Sequence, residues 1–277
     1  MLKIKKIFFI LMLISLLSAC QTEHTTIDPT NLHQLESLNQ GDTPLPSPEP
    51  VPKPNAYGGG GIRSKALADA ALTLGAQGGL AWASKQINHR VQEDKWNLET
   101  IYNFNAMMLS HGVLPPVLAQ GDNSLNLADP NTIRIADRTY KIISQARFVT
   151  TPPNWRDYLW MSYPTPELPN QVLFPRTAGE QAIWKKAIHL GWEKGIEQAF
   201  NIYRQSLNRL KRDYAGMILY RKLLQSHMVS PPFVAKTELG VTGNGTDMRI
   251  NDQVLRIVEL PKLQTDSRTW NAIVVKS

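Results

Sequence analysis

The sequence predicts an α+β protein of two similar helix–helix–hairpin halves behind a disordered, lipidated N-terminal tether. Three observations predict it. The first is an internal repeat: residues 110–119 read SHGVLPPVLA, and residues 226–235, 116 positions later, read SHMVSPPFVA. At the same offset Ala71, Leu74, Gly75, Gly79 and Ala83 return as Ala187, Leu190, Gly191, Gly195 and Ala199. Farther on, at an offset of 115, Arg134-Ile135-Ala136-Asp137 returns as Arg249-Ile250-Asn251-Asp252, and Trp155 as Trp270. A period of this length is that of a domain, not of a solenoid turn. The second observation is that each copy opens with small and apolar residues at three- and four-residue steps, the period of a helix. The third is that each copy then alternates apolar and polar residues, the period of a strand.

Residues 1–19 read as a leader. Lys3, Lys5 and Lys6 precede an apolar run over residues 7–17. That run is too short to cross a hydrocarbon layer of about 30 Å as a helix. It ends in Leu17-Ser18-Ala19-Cys20, which matches the motif at which bacterial lipoprotein leaders are cut, leaving a lipidated N-terminal cysteine. Cys20 is the only cysteine of the 277 residues, so an intrachain disulfide is impossible. The following Gln21 is not the Asp that commonly retains such proteins at the inner membrane, which favours the outer one. Residues 20–61 read as a tether: Pro44, Pro46, Pro48, Pro50, Pro52 and Pro54 keep the backbone extended, and four glycines at 58–61 form a joint. Leu32, Leu35 and Leu38 could make one helical turn on a partner.

The first repeat occupies residues 62–162. A helix over 63–94 carries the ridge Ala71-Gly75-Gly79-Ala83, which suits the close approach of another helix. A second helix over 97–111 stops at Pro115 and Pro116. His111 would sit at its end, where imidazole can bind free carbonyls. A hairpin over 132–150, turning at residues 136–139, is followed by the aromatic cluster around Trp155. A Pro-rich connector, 163–177, leads to the second repeat, 178–277. There a helix over 178–210 carries Gly191 and Gly195. Another over 213–228 continues it, with or without a break, and ends by His227. A hairpin turning at Asn251-Asp252 follows, and then a last strand over 270–275.

The formal net charge of +7 falls to +4 without the leader's three lysines, and no basic stripe with interleaved aromatics points to nucleic acid. No catalytic constellation stands out. His189, Glu193 and Glu197 share a helix face but lack the His-Glu-x-x-His order of a zinc protease. Glu167 is isolated among prolines. Glu180 is explained by a helix N-terminus, and Asp137 and Asp252 by turns. Gly-x-Ser-x-Gly is absent. We expect no enzyme activity, no cofactor and no metal site. The residues with an expected role are Cys20, for lipidation, and Gly75, Gly79, Gly191 and Gly195, for helix packing.

The leader boundary, the proline tether, the glycine joint and the passages SHGVLPP…RIADRTYKI and SHMVSPPFV…RINDQVLRI together resemble the DotC lipoproteins of Dot/Icm type IVB secretion systems. Related lipoproteins serve the conjugation systems of IncI-type plasmids. The resemblance covers the chain from about Tyr57 onward. It implies a lipid-anchored structural subunit of an envelope-spanning core complex, on the periplasmic side of the outer membrane. Its implied partners are a DotD-like lipoprotein and a DotH-like outer-membrane subunit that it helps to place, with DotF- and DotG-like subunits in the same complex. Only Cys20 carries over as a functional residue. The competing expectation is a lipid-anchored periplasmic enzyme or binding protein acting on peptidoglycan.

Overall fold

The structure, a computed structural model, describes residues 27–39, 61–129 and 131–271. The leader, Cys20, the proline run and nearly all of the expected last strand lie outside these residues. The elements in chain order are α1 (Leu32–Glu36), α2 (Ile62–Glu93), α3 (Lys95–Ile101), β1 (Val113–Leu114), β2 (Val117–Asp129), β3 (Thr132–Ser144), β4 (Arg147–Phe148), α4 (Arg156–Leu159), α5 (Ala178–Gln225), β5 (Phe233–Gly243) and β6 (Met248–Glu259). The fold class is α+β. No helix among the described residues is long and apolar enough to cross a membrane. The chain divides into two compact units, Met1–Gly79 with Thr165–Lys194 and Leu80–Pro164 with Gly195–Ser277. Each therefore draws on both halves of the sequence.

In the first unit, α2 up to Gly79 lies along α5 up to Lys194. Contacts advance together along the two chains, Gly75 with Ile188 and Gly79 with Trp192, so the helices run parallel here. Residues 27–39 fold back onto this pair. Leu35 is fully buried, its carbonyl accepts a hydrogen bond from Trp184 Nε1 at 2.9 Å, and the Glu36 carbonyl accepts one from Gln181 Nε2 at 2.7 Å. Leu32 and Leu35 thus lie on the expected helical turn, with Leu38 buried just beyond its end, but on their own chain. Asn31 starts that turn, its side chain accepting from the N–H groups of His33 and Gln34.

In the second unit, Ala83, Ile87 and Val91 of α2 and Ala199, Leu210 and Met217 of α5 enclose Phe104, Trp155 and Leu159. Asn88 clamps the backbone of Met161 from both sides, donating to its carbonyl at 2.6 Å and accepting from its N–H at 2.9 Å. Two long two-stranded antiparallel hairpins, β2–β3 and β5–β6, belong to this unit.

Three local expectations are corrected. The helix expected over 97–111 ends at Ile101. The Asn103 side chain takes the N–H of Ala106 and starts a 3₁₀ turn, Phe104–Met107, after which Leu109 bridges to Val113. The turn expected at residues 136–139 is strand interior: β3 is continuous and pairs with β2, a strand whose Gly121, Asp122, Asn123 and Asp129 hide it in the sequence. Charged residues are tolerated there because the strand is exposed, and Arg138 reaches Asp122 at 3.8 Å. The turn expected at Asn251-Asp252 is a β-bulge. Asn251 has φ 59° and no cross-strand partner, and the chain turns instead at residues 244–247, where the Asn244 side chain accepts from the N–H groups of Thr246 and Asp247. Residues 178–225 form one helix without a break.

Candidate functional site

The helix seam follows from the small residues that line it. A β-carbon added to Gly75 would meet the Ile188 carbonyl oxygen, one added to Gly79 that of Trp192, and one added to Gly191 that of Leu72. Backbone, not a flexible side chain, fills each space, so only glycine fits. Leu72 and Ile188 are related by the same 116-residue offset as Gly75 and Gly191. Each copy's glycine therefore faces the other copy's equivalent carbonyl, the reciprocal pattern of an isologous contact formed inside one chain. Gly195, in the second unit, is buried. Gly216 lies outside the repeated small-residue ridge and was not expected to pack. On α5 in the second unit, its added β-carbon would lie 2.6 Å from the Leu118 carbonyl oxygen, so β2 crosses close over the helix.

Both repeated histidines adopt left-handed backbone, His111 at φ 62° and His227 at φ 57°. His227 closes α5. Its N–H bonds to the Leu224 carbonyl at 3.1 Å and the next N–H, of Met228, to that of Leu223 at 2.9 Å, a Schellman cap with histidine where glycine is usual. The backbone thus satisfies the carbonyls that the imidazole was expected to bind, and His227 Nδ1 contacts Asn271 Nδ2 at 2.7 Å. His111 lies beyond the end of α3, in a short 3₁₀ turn.

His189 meets two carboxylates, Glu36 through Nδ1 at 3.5 Å and Glu193 through Nε2 at 3.4 Å, and so ties the folded-back N-terminal segment to α5. Glu197, in the second unit, takes no part in this trio. Among the described residues no group of three or more His, Cys, Asp or Glu could hold a metal ion. Glu180 does more than face a helix N-terminus. It pairs with Arg63, Nε to Oε1 at 2.8 Å, and accepts the Arg176 N–H at 2.9 Å. Burial raises its pKa, but the Arg63 hydrogen bond, the Arg176 N–H and the charges of both arginines outweigh burial and hold it below the ordinary value.

The hairpins carry the surface best suited to partners. Near their base, Leu118 of β2 is buried with Tyr220, Leu223 and Val229, and Tyr140 and Ile142 of β3 pack against that cluster. Toward the turns the apolar side chains have no cover. Leu125 pairs with Ile135 and Leu127 with Ile133 on the first hairpin, and Val241 with Ile250 on the second. Leu125, Ile135, Val241 and Ile250 are 66%, 75%, 66% and 67% exposed. Ile135 and Ile250 are equivalents in the repeat, as are Leu125 and Val241. Both copies thus keep an apolar cross-strand pair in water, beside strand edges with unpaired backbone groups.

Residues 61–272 match a family model described as type IV secretory system, conjugal DNA-protein transfer. No curated protein matches the chain.

Proposed function

This chain belongs to the family of type IV secretory system proteins of conjugal DNA–protein transfer, and we propose that it works there as an outer-membrane lipoprotein. In this reading it is a non-catalytic subunit of the core complex, of the DotC type, and helps to place a DotH-like subunit at the outer membrane beside a DotD-like lipoprotein. DotF- and DotG-like subunits share the complex. The observation that carries the structural role is the pair of hairpins with equivalent uncovered apolar residues. Isolated hairpins are marginal in water, so these arms gain stability when another subunit covers them. The anchor is argued from the sequence: Lys3, Lys5, Lys6, the apolar run and Leu17-Ser18-Ala19-Cys20. Several acyl chains on Cys20, at about 0.8 kcal/mol per buried CH₂, hold a protein stably without a transmembrane helix.

Envelope fractionation of a Cys20→Ser strain tests this function. The variant is expected to fold but to leave the outer membrane, and the DotH-like subunit to be lost from that membrane with it. Normal outer-membrane recovery of both proteins, with normal transfer, would overturn the proposal.

A further inference from the structure

A polar cleft of about 670 Å³ in the second unit has no part in the fold or the function argued above. One wall is the segment 147–151; Tyr158 of α4 and Arg209 and Asp213 of α5 also line it. Its acidic groups are already engaged. Asp213 Oδ1 accepts from Arg212 Nε at 2.9 Å and Nη2 at 2.8 Å, and its Oδ2 accepts from the Tyr158 hydroxyl at 3.2 Å. Asp157 Oδ2, at the rim, accepts the Asn154 N–H at 2.8 Å. Burial and then the Asp213 charge push the Tyr158 hydroxyl up to about 12, so it remains a donor to Asp213 at neutral pH.

Its basic groups are not engaged. Arg147 and Arg209 form no ion pair among the described residues, and the Arg209 guanidinium only lies over the Tyr158 ring, 5.2 Å from its centre. Both residues line the cleft, and both charges act on Tyr158. Two guanidiniums without an ion pair, lining one polar concave site, suit an oxyanion. The two aspartates in the lining disfavour a dianion and leave room for a single negative charge. Beside them β4, exposed at Arg147 and Phe148, pairs with β1, and among the described residues no strand pairs along its other edge, where an extended chain could add.

We propose that this cleft receives one carboxylate side chain, carried on an extended segment of a partner polypeptide, with Arg147 and Arg209 as its ligands. The proposal rests on the reading of the protein as an assembly subunit. The segment adds along β4 while its Asp or Glu enters the cleft.

The test is nitrogen-15 NMR of the arginine side chains in the full chain solubilised in detergent. The probes are a capped Ala-Val-Glu-Val-Ala peptide, the same peptide with Gln for Glu, and inorganic phosphate. The Glu peptide should shift the Arg147 and Arg209 signals saturably, and the Gln peptide should bind at least about tenfold more weakly. Arg147→Gln and Arg209→Gln should each weaken the Glu peptide about tenfold. Both side chains are exposed, so the melting temperature should stay unchanged. No shift up to about 10 mM peptide, equal binding of both peptides, or phosphate binding more tightly than the Glu peptide would overturn the proposal. Fractionation of the Cys20→Ser strain reads a different property, so a failed peptide titration is distinguishable from failure of the assembly reading and leaves that reading standing.

Discussion

Gly191 shows what one residue decides. Changing glycine to alanine inside a helix ordinarily gains up to about 1 kcal/mol in propensity. At Gly191 the new methyl would meet the Leu72 carbonyl, which cannot move without moving α2. Overpacking of this kind costs about 1–3 kcal/mol. We therefore expect Gly191→Ala to lower the thermal midpoint. Gly179→Ala, whose methyl would meet only Thr177 Oγ1 at 3.9 Å, should hold or raise it. Equal midpoints for the two variants would show that the seam is not tight. Glu180 supplies a pH-dependent counterpart. Its folded pKa is lowered, so its contribution to stability is present above the unfolded value of about 4.3 and is lost as the pH falls through the folded value. Glu180→Gln should accordingly destabilise the protein at pH 7. The difference from the parent should close in urea melts taken at progressively more acid pH. A gap independent of pH would mean that the pair with Arg63 does not stabilise the fold.

Elements here end where backbone conformation makes them end. The left-handed cap at His227 costs a non-glycine residue roughly 1–2 kcal/mol, and the Schellman bonds offset that cost. His227→Gly keeps those bonds and removes the strain, so its stability should match or exceed the parent's. His227→Ala should fall below His227→Gly by about 1 kcal/mol in chemical denaturation. A His227→Gly variant less stable than the parent would mean that the imidazole, through Asn271, and not the backbone, holds the end of α5. The hairpins show the same dominance of context over propensity. In β6 the extra residue Asn251 absorbs a bulge in mid-strand, and in β3 Asp137 lies within a continuous strand. Alternation reveals strand character but not where the chain reverses, because the reversal depends on which strand lies alongside.

For the molecule as a whole, the folded-back N-terminal segment would set how far the body could stand from the lipid proposed on Cys20. A free tether of 41 residues, 21 to 61, would reach at most about 140 Å. With residues 28–38 held against α5, only eight residue steps lead from Cys20 to Asp28, and the reach falls to at most about 29 Å. Burying one leucine contributes about 1.5–3 kcal/mol, so Leu35→Asp should release the segment. The release would be read as fast amide exchange over residues 30–38, with exchange in α2 and α5 of the first unit little changed. Protection persisting in that variant would show that the contacts of Trp184 and Gln181 suffice without the leucine.

The sequence by itself determined the repeat, the long helices and their small-residue seam. Each is written in local period: Ala71, Gly75, Gly79 and Ala83 fall on one helix face whatever surrounds them. It also determined the conjugation and secretion setting, through passages that a family model recognises from residue 61 to 272. Tertiary structure alone decided that Leu35 docks on its own chain, that Glu180 answers Arg63, and that Gly216 lies under β2. It also decided that residues 117–129, rich in Gly, Asn and Asp, form a strand. Each of these depends on a partner distant in sequence, whose burial or hydrogen bonds outweigh local preference, and no periodicity names that partner.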